Sequence, residues 1–106
     1  MNNKALLIID LQNDYFEKGK FPLHNTEKTL NNIKELTSKF QQQGIHIIHI
    51  QHIADSSHGI APFFNEGTTG AEIHSQILQS APNGEIIIKK FADSFYNTNL
   101  ESILSK

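Results

Sequence analysis

The sequence predicts an α/β fold, an open and doubly wound (Rossmann-like) parallel sheet with helices on both faces. Three short, almost wholly apolar runs recur along the chain, and amphipathic helical patterns separate them. Strands that alternate with helices pair in parallel through right-handed crossovers. Strands that are covered on both faces are apolar along their whole length, as these runs are.

The first half of the chain contains one strand–helix–strand unit. The apolar run at residues 4–10 predicts the first strand, and the β-branched run at residues 45–51 predicts the second. An apolar stripe between them predicts a helix that Asn25 or Thr26 caps and that continues through Gln43. The stripe consists of Leu30, Ile33, Leu36 and Phe40.

The second half repeats the pattern with shorter elements. Thr69 and Glu72 have the spacing of a capping box and predict the start of a second helix. The run at residues 85–89 predicts the third strand. Thr98 and Glu101 form a second capping box, which predicts a final helix.

The length of 106 residues fits one domain, spanning residues 1–106. Three parallel strands are few, because sheets usually hold about four to six. We therefore expect the domain to be truncated to about three strands and incomplete at its C-terminus, with Lys106 inside or just after the third helix.

Composition excludes several functional classes. Nine lysines and no arginine against eleven acidic residues give a net charge of −2, which argues against binding of nucleic acid. No apolar run approaches a membrane span or a signal-peptide core, so we expect a cytoplasmic protein with no membrane partner. Cysteine is absent, which excludes disulfides and cysteine-ligated metals.

Polar residues follow the predicted strands at the edge where open α/β sheets bind ligands. Asp10 follows the first strand, Gln51 and His52 the second, and Lys89 the third. A carboxylate at this edge can act as a general base, and an ammonium can stabilise developing negative charge. Asp10 as a turn cap and Lys89 as a solvated strand end are the structural alternatives.

Three stretches, in order along the chain, resemble the isochorismatase-like cysteine hydrolases. Residues 5–15 contain an apolar strand followed by Asp-x-Gln-x-Asp and an aromatic residue. Residues 63–74 contain Gly-x-x-Gly-x-x-Ile, and residues 88–100 contain a lysine, a short spacer, Ser-Phe and Thr-x-Leu. The resemblance, of the nicotinamidase/isochorismatase type, covers the N-terminal part of the family's domain.

The resemblance implies a site and a chemistry. Asp10 corresponds to the catalytic aspartate and Lys89 to the catalytic lysine of an Asp-Lys-Cys triad that hydrolyses a small amide or related C–N compound without a cofactor. Phe16, Phe64 and Phe95 correspond to segments that line the substrate pocket. Amides are favoured over isochorismate only by analogy within the family.

The cysteine nucleophile of the family has no counterpart in these 106 residues. We therefore predict that the chain alone is inactive, because an aspartate and a lysine do not replace a thiol. A remnant that binds a small molecule without turnover, and an assembly module, are the alternative functions.

The six histidines raise the question of a metal site. His46 and His49 are three apart on a strand and face opposite sides. His52 and His58 resemble the metal-binding histidines of nicotinamidases, but Ile50 stands where that branch has an aspartate. We predict no metal.

Two features point to association. Residues 52–70 form a connection long enough to be a lid or a subunit contact. The family's strand order implies that the first strand pairs with a fourth strand, which leaves residues 5–9 as a bare apolar edge here. We expect a homo-oligomer or association with the missing C-terminal half.

Overall fold

The structure, a computed structural model, describes residues 4–105 and contains the predicted alternation of strands and helices. The strands are β1 (Ala5–Ile9), β2 (His46–His52) and β3 (Glu85–Lys89). The α-helices are α1 (Thr26–Gln42), α2 (Ser75–Ser80) and α3 (Leu100–Leu104), and short 3-10 helices cover Asn13–Tyr15, Ser56–His58 and Thr69–Ala71.

The strands form one parallel sheet in the order β1-β2-β3. Ile8 of β1 is level with His49 of β2, which is level with Ile86 of β3. The parallel sheet is confirmed. Within residues 4–105, β1 pairs on one side only, so its outer edge presents unpaired backbone groups.

Helices cover both faces of the sheet, because successive strand side chains point to opposite faces. On one face, side chains of α1 pack against a cluster formed by Ile8, Ile47, Ile73, Ile77 and Ala81. On the other face, β2, β3 and α3 contribute the cluster Ile48, Ile50, Ile87, Leu100 and Ile103. The doubly wound architecture is confirmed.

The buried stripe of α1 differs from the prediction at one position. Leu36 is 42% exposed, whereas Thr37 is completely buried. At 3.6 residues per turn, Leu36 lies about 240° around the helix from Leu30, while Thr37 lies almost directly in line with it. No helix in residues 4–105 combines the length and the apolar content that a membrane crossing needs.

The predicted capping box at Thr69 and Glu72 is wrong. Residues from Thr69 form a 3-10 turn instead, and α2 begins only at Ser75, with His74 as its N-cap. Glu72 is extended because its carbonyl accepts a hydrogen bond from the N–H of Asn13, and because Ile73 forms a β-bridge with Gln12. Pairing with the segment after β1 therefore prevents the helix from starting earlier.

The prediction that Asn25 or Thr26 caps α1 is confirmed, because Asn25 is the N-cap of this helix, whereas the predicted cap of α3 is displaced by one residue. Asn25 precedes α1 in a left-handed conformation (φ 57°), and its side chain makes no capping hydrogen bond. Asn99, rather than Thr98, is the N-cap of α3, and the Thr98 hydroxyl accepts a hydrogen bond from the Leu100 N–H at 3.4 Å. The three helices are predicted correctly, but only α1 begins where the sequence predicts.

The cap of α2 makes stability depend on pH. The Nδ1 atom of His74 accepts a hydrogen bond from the Gln76 N–H at 3.2 Å, which requires an unprotonated Nδ1. Burial lowers the pKa of His74 below its usual 6.5; the charge of Glu27 opposes this shift, and that of Lys34 adds to it. The stabilisation is fully present above the unfolded-state pKa and is lost as the pH falls through the folded-state pKa.

We therefore predict that the free energy of unfolding decreases as the pH is lowered from about 6.5, the usual pKa of histidine. Substitution of His74→Asn keeps a good N-cap residue and removes the titration, so this part of the decrease should disappear. Urea unfolding at several pH values measures it, with His24→Asn at an exposed position as control. Parallel curves for wild type and His74→Asn would contradict the assignment.

Candidate active site

Asp10 stands where the chain leaves β1. Its N–H donates to the Ile50 carbonyl at 3.0 Å, so the pairing with β2 continues one residue beyond the strand. Its backbone is left-handed, with a φ of 60°, a conformation that aspartate tolerates better than most residues. The chain therefore turns sharply here and leaves the carboxylate at the end of the sheet.

Lys89 ends β3 with its side chain buried to 2% exposure. Its Nζ donates a hydrogen bond to the Ala92 carbonyl at 2.9 Å and lies 3.3 Å from Oδ1 of Asp10. β1 and β3 are separated by β2, or roughly 10 Å at two strand spacings. The lysine stem crosses the end of β2, and the structure thus brings together the two residues that we expected at this edge.

The contact between the two charges is electrostatic rather than a well-aligned hydrogen bond. Oδ1 of Asp10 is buried, yet among residues 4–105 no donor meets hydrogen-bond geometry with it despite the 3.3 Å approach of Lys89. The Asp10 side chain as a whole is 22% exposed. A carboxylate next to a cation and with an open acceptor position suits a proton acceptor.

Gln12 holds the surrounding backbone in place, a function that the sequence reasoning missed. Its amide nitrogen donates to the carbonyls of His52 at 2.8 Å and Ala71 at 2.6 Å, and its Oε1 accepts the His52 N–H at 2.7 Å. Gln12 is completely buried. Gln51 donates to the same Ala71 carbonyl at 2.9 Å. The Asp-x-Gln motif was the available signal, because a glutamine in an apolar setting needs partners for both ends of its amide.

An aromatic cluster of Tyr15, Phe21, Phe63 and Phe64 lies beside this edge. The ring of Tyr15 is 4.8 Å from Phe64 and 5.6 Å from Phe63, and Phe21 is 4.9 Å from Phe63. Burial, and then the negative charge of Asp10, raise the pKa of Tyr15 above its usual value. Tyr15 is thus close enough to Asp10 to feel its charge, and it was not among the predicted site residues.

Phe64, a predicted pocket residue, is completely buried in this cluster. Its ring lies 5.6 Å from that of His52, whose backbone is the register partner of Lys89 in the sheet. Phe64 is therefore part of the packed wall behind the charged pair, and its contact with substrate stays a prediction.

Phe16 and Phe95 lie in different surroundings. Phe16 is buried and packs on His74 with ring centroids 4.5 Å apart. It lines an open cavity of about 460 Å³ whose walls include neither Asp10 nor Lys89. Phe95 is 51% exposed in the segment after β3, where its N–H donates to Asp93. Their roles in binding substrate stay predictions that this geometry does not strengthen.

The histidines of β2 have separate surroundings. His46 is exposed, with Nε2 3.2 Å from Glu85, whereas the ring of His49 is buried against the Ala81 carbonyl at 3.2 Å. Among the described residues, no three His, Asp or Glu side chains are placed to hold a metal ion. The side chain of His58 lies outside the described part of the structure.

Comparisons with known proteins agree on one family. The sequence model of the isochorismatase domain matches residues 4–106. An uncharacterised isochorismatase family protein of Bacillus subtilis, YddQ, is 41% identical over 102 residues, or 96% of this chain and 55% of its own length. The secreted isochorismatase effector Isc1 of Verticillium dahliae is 35% identical over 105 residues, 98% of this chain and 52% of its own length.

Solved structures show the same fold. A candidate isochorismatase hydrolase from Oleispira antarctica superposes with a TM-score of 0.86 at 38% identity, over 99% of this chain and 56% of that one. Nicotinamidase PncA from Bacillus subtilis gives a TM-score of 0.81 at 25% identity, over 98% and 65% of the two chains. This chain spans about half the length of the curated relatives that it matches.

The contact between Lys89 and Asp10 should contribute to the free energy of unfolding. Substitution of Lys89→Met keeps the unbranched stem but leaves Asp10 without its cation and the Ala92 carbonyl without its donor. We expect the free energy of unfolding to fall by about 1–3 kcal/mol. The matched substitution Lys90→Met, at an exposed position, should change it by less than about 0.5 kcal/mol.

Urea unfolding followed by circular dichroism measures both variants. Asp10→Asn should cost less in the Lys89→Met background than in wild type, because the contact is already broken there. Equal costs in the two backgrounds would mean that the two residues do not interact.

Proposed function

The chain belongs to the isochorismatase family, and on that premise we propose that it provides the acid–base part of a cysteine hydrolase site for a small amide or related C–N substrate. The observation that carries the proposal is the approach of Lys89 to 3.3 Å from a buried Asp10 oxygen that accepts no aligned hydrogen bond within residues 4–105. The pair is asymmetric, since the lysine is almost fully buried and the aspartate retains some exposure.

In the proposed reaction, Asp10 accepts the proton of a cysteine thiol, and Lys89 stabilises the resulting charges. The thiolate attacks the carbonyl carbon, a C–S bond forms, and the C–N bond breaks as the nitrogen leaves with a proton. Water then hydrolyses the thioester and restores the thiol. The thiol, base and ammonium carry these steps, so the proposal includes no cofactor.

The thiol is the part that these residues do not provide, because the 106-residue sequence contains no cysteine. A thiol nucleophile stays reduced in the cytoplasm, which is where we propose that the site operates. Without the thiol, the function that remains is binding of the small substrate, as in our alternative of an inactive remnant.

The surroundings of Asp10 support a small, flat substrate. The Tyr15 ring is close enough to Asp10 for the aspartate charge to raise the pKa of Tyr15, and it packs on the buried ring of Phe64. Aromatic faces favour planar ligands by stacking. A planar amide has a polar carbonyl that can lie near an ammonium and a flat body that can lie against the half-buried Tyr15 ring. We therefore favour an aromatic carboxamide, of which nicotinamide is a convenient probe.

We predict that the purified 106-residue chain binds nicotinamide without hydrolysing it. Binding is measured by ¹⁵N NMR titration, and turnover by release of ammonia from a panel of small amides. Lys89→Met should weaken binding about tenfold, whereas Lys90→Met should leave it unchanged; a factor of ten corresponds to about 1.4 kcal/mol. Thiol-blocking reagents should have no effect. Turnover that disappears in Asp10→Ala would show that the chain is a complete enzyme and overturn this assignment.

The free edge of β1 supports a second part of the proposal, which is that the chain associates through this edge. The strand is apolar from Ala5 to Ile9, and Ile9 is 49% exposed. Neither a charged residue nor a proline interrupts the strand, and such edges pair readily with other strands. A second copy of the chain, or the remaining half of a family-length protein, would cover it.

We predict that the isolated chain sediments as a dimer or larger species at low micromolar concentration. Leu7→Lys places a charge in the edge strand and should shift the distribution toward monomer. Ile60→Lys, at a loop position that is 90% exposed, is the matched control and should not. Circular dichroism confirms that each variant is folded. A folded wild-type monomer would contradict association through β1.

A further inference from the structure

Asp14 is a buried carboxylate that the proposed reaction does not use. It is 3% exposed, and neither the charged pair nor an ion-pair contact among the described residues includes it. Its Oδ2 accepts the Phe64 N–H at 2.7 Å, and its Oδ1 accepts the Lys20 N–H at 3.1 Å. One carboxylate therefore connects two segments that are far apart in sequence.

Backbone packs directly against Asp14 at two glycines, and Asp14 also lines the open cavity beside Phe16. A Cβ placed on Gly70 would overlap the Asp14 carboxylate, and one placed on Gly19 would overlap the Asp14 backbone. Because both positions are glycine, the loops that carry Gly19 and Gly70 can pack their backbones directly against Asp14. This close approach fixes the carboxylate against Gly70 while its oxygens hold Lys20 and Phe64.

The residue that Asp14 holds is strained. Phe64 has a φ of 61°, a left-handed conformation that a bulky side chain adopts rarely and only when its surroundings impose it. Besides the bond to Asp14, the Phe64 carbonyl accepts the Ala54 N–H at 2.8 Å. Backbone strain of this kind concentrates at functional sites, where it fixes the direction of a side chain.

The strained conformation directs the Phe64 ring toward the charged end of the sheet. There the ring lies 4.8 Å from Tyr15 and 5.6 Å from His52, and His52 is level with Lys89. The chain of contacts therefore runs from Asp14 through the Phe64 backbone to the wall beside the reacting pair.

We propose that Asp14 is a positioning residue that sets substrate selectivity: it holds Phe64 in its left-handed conformation, and so keeps the Tyr15–Phe64 wall in the shape that accepts flat aromatic amides. This inference rests on the proposed function for the substrate class, and on the geometry alone for the positioning. Asp14 itself does not touch the substrate.

The test uses the full chain with Asp14→Asn, whose single remaining acceptor oxygen cannot serve both backbone N–H groups. The control is Glu17→Gln, which removes an exposed carboxylate three residues away. Dissociation constants for nicotinamide and for isobutyramide are measured by NMR titration. We expect the preference for the aromatic amide to fall about tenfold in Asp14→Asn and to be unchanged in Glu17→Gln. Equal weakening of both ligands, or no change, overturns the inference.

Two further measurements test the inference if the wild type binds neither amide or if Asp14→Asn does not fold. If the wild type binds neither amide, the substrate class of the proposed function fails, and the backbone NMR signals test whether Asp14 positions Phe64. Changes in Asp14→Asn that are confined to Lys20, Phe64 and Tyr15 support this role. Absent or global changes overturn it. If Asp14→Asn does not fold, hydrogen exchange on the wild-type chain decides the positioning: protected amides at Phe64 and Lys20 support it, and unprotected amides overturn the proposal.

Discussion

Lys89 carries a positive charge that is almost completely removed from water, and such a charge persists only where acceptors surround it. The acceptors come from both sides of the sheet's end: Asp10 after β1 and the Ala92 carbonyl after β3. Because β2 lies between them, the lysine stem spans the middle strand and connects the ends of the outer two. The buried ammonium thus links the turn at Asp10 to the segment after β3.

The elements that could be predicted from sequence are those that depend on local pattern. Apolar runs identify the three strands, and strand ends in a parallel sheet identify Asp10 and Lys89 as neighbours, although one face of β3 is half exposed at Ile86 and Ile88. The beginning of α2 could not be predicted, because a long-range pairing of Gln12 with Ile73 competes with the cap at Thr69. Capping motifs describe an isolated helix end and do not include such competitors.

The neighbours of the aromatic residues also could not be predicted from the sequence. Phe16, Phe64 and Phe95 were all assigned to one pocket through family resemblance, yet one packs on His74, one is buried beside Tyr15 and one is half exposed. An aromatic side chain has no partner requirement as strict as that of a buried charge, so sequence alone does not fix its neighbours. The sequence predicted that the charged residues lie close together, but it did not predict the different neighbours of the three aromatic rings.

Gln12 behaves as a substitute for a peptide group. Its side-chain amide offers one acceptor and one donor to the backbone of His52, as a neighbouring strand would. β2 can therefore extend beyond the point where β1 has ended, without exposing its polar backbone to an apolar interior. The His52 backbone at this end of the sheet is thus already satisfied in its hydrogen bonds, and a ligand that binds beside Asp10 does not compete with the scaffold for them.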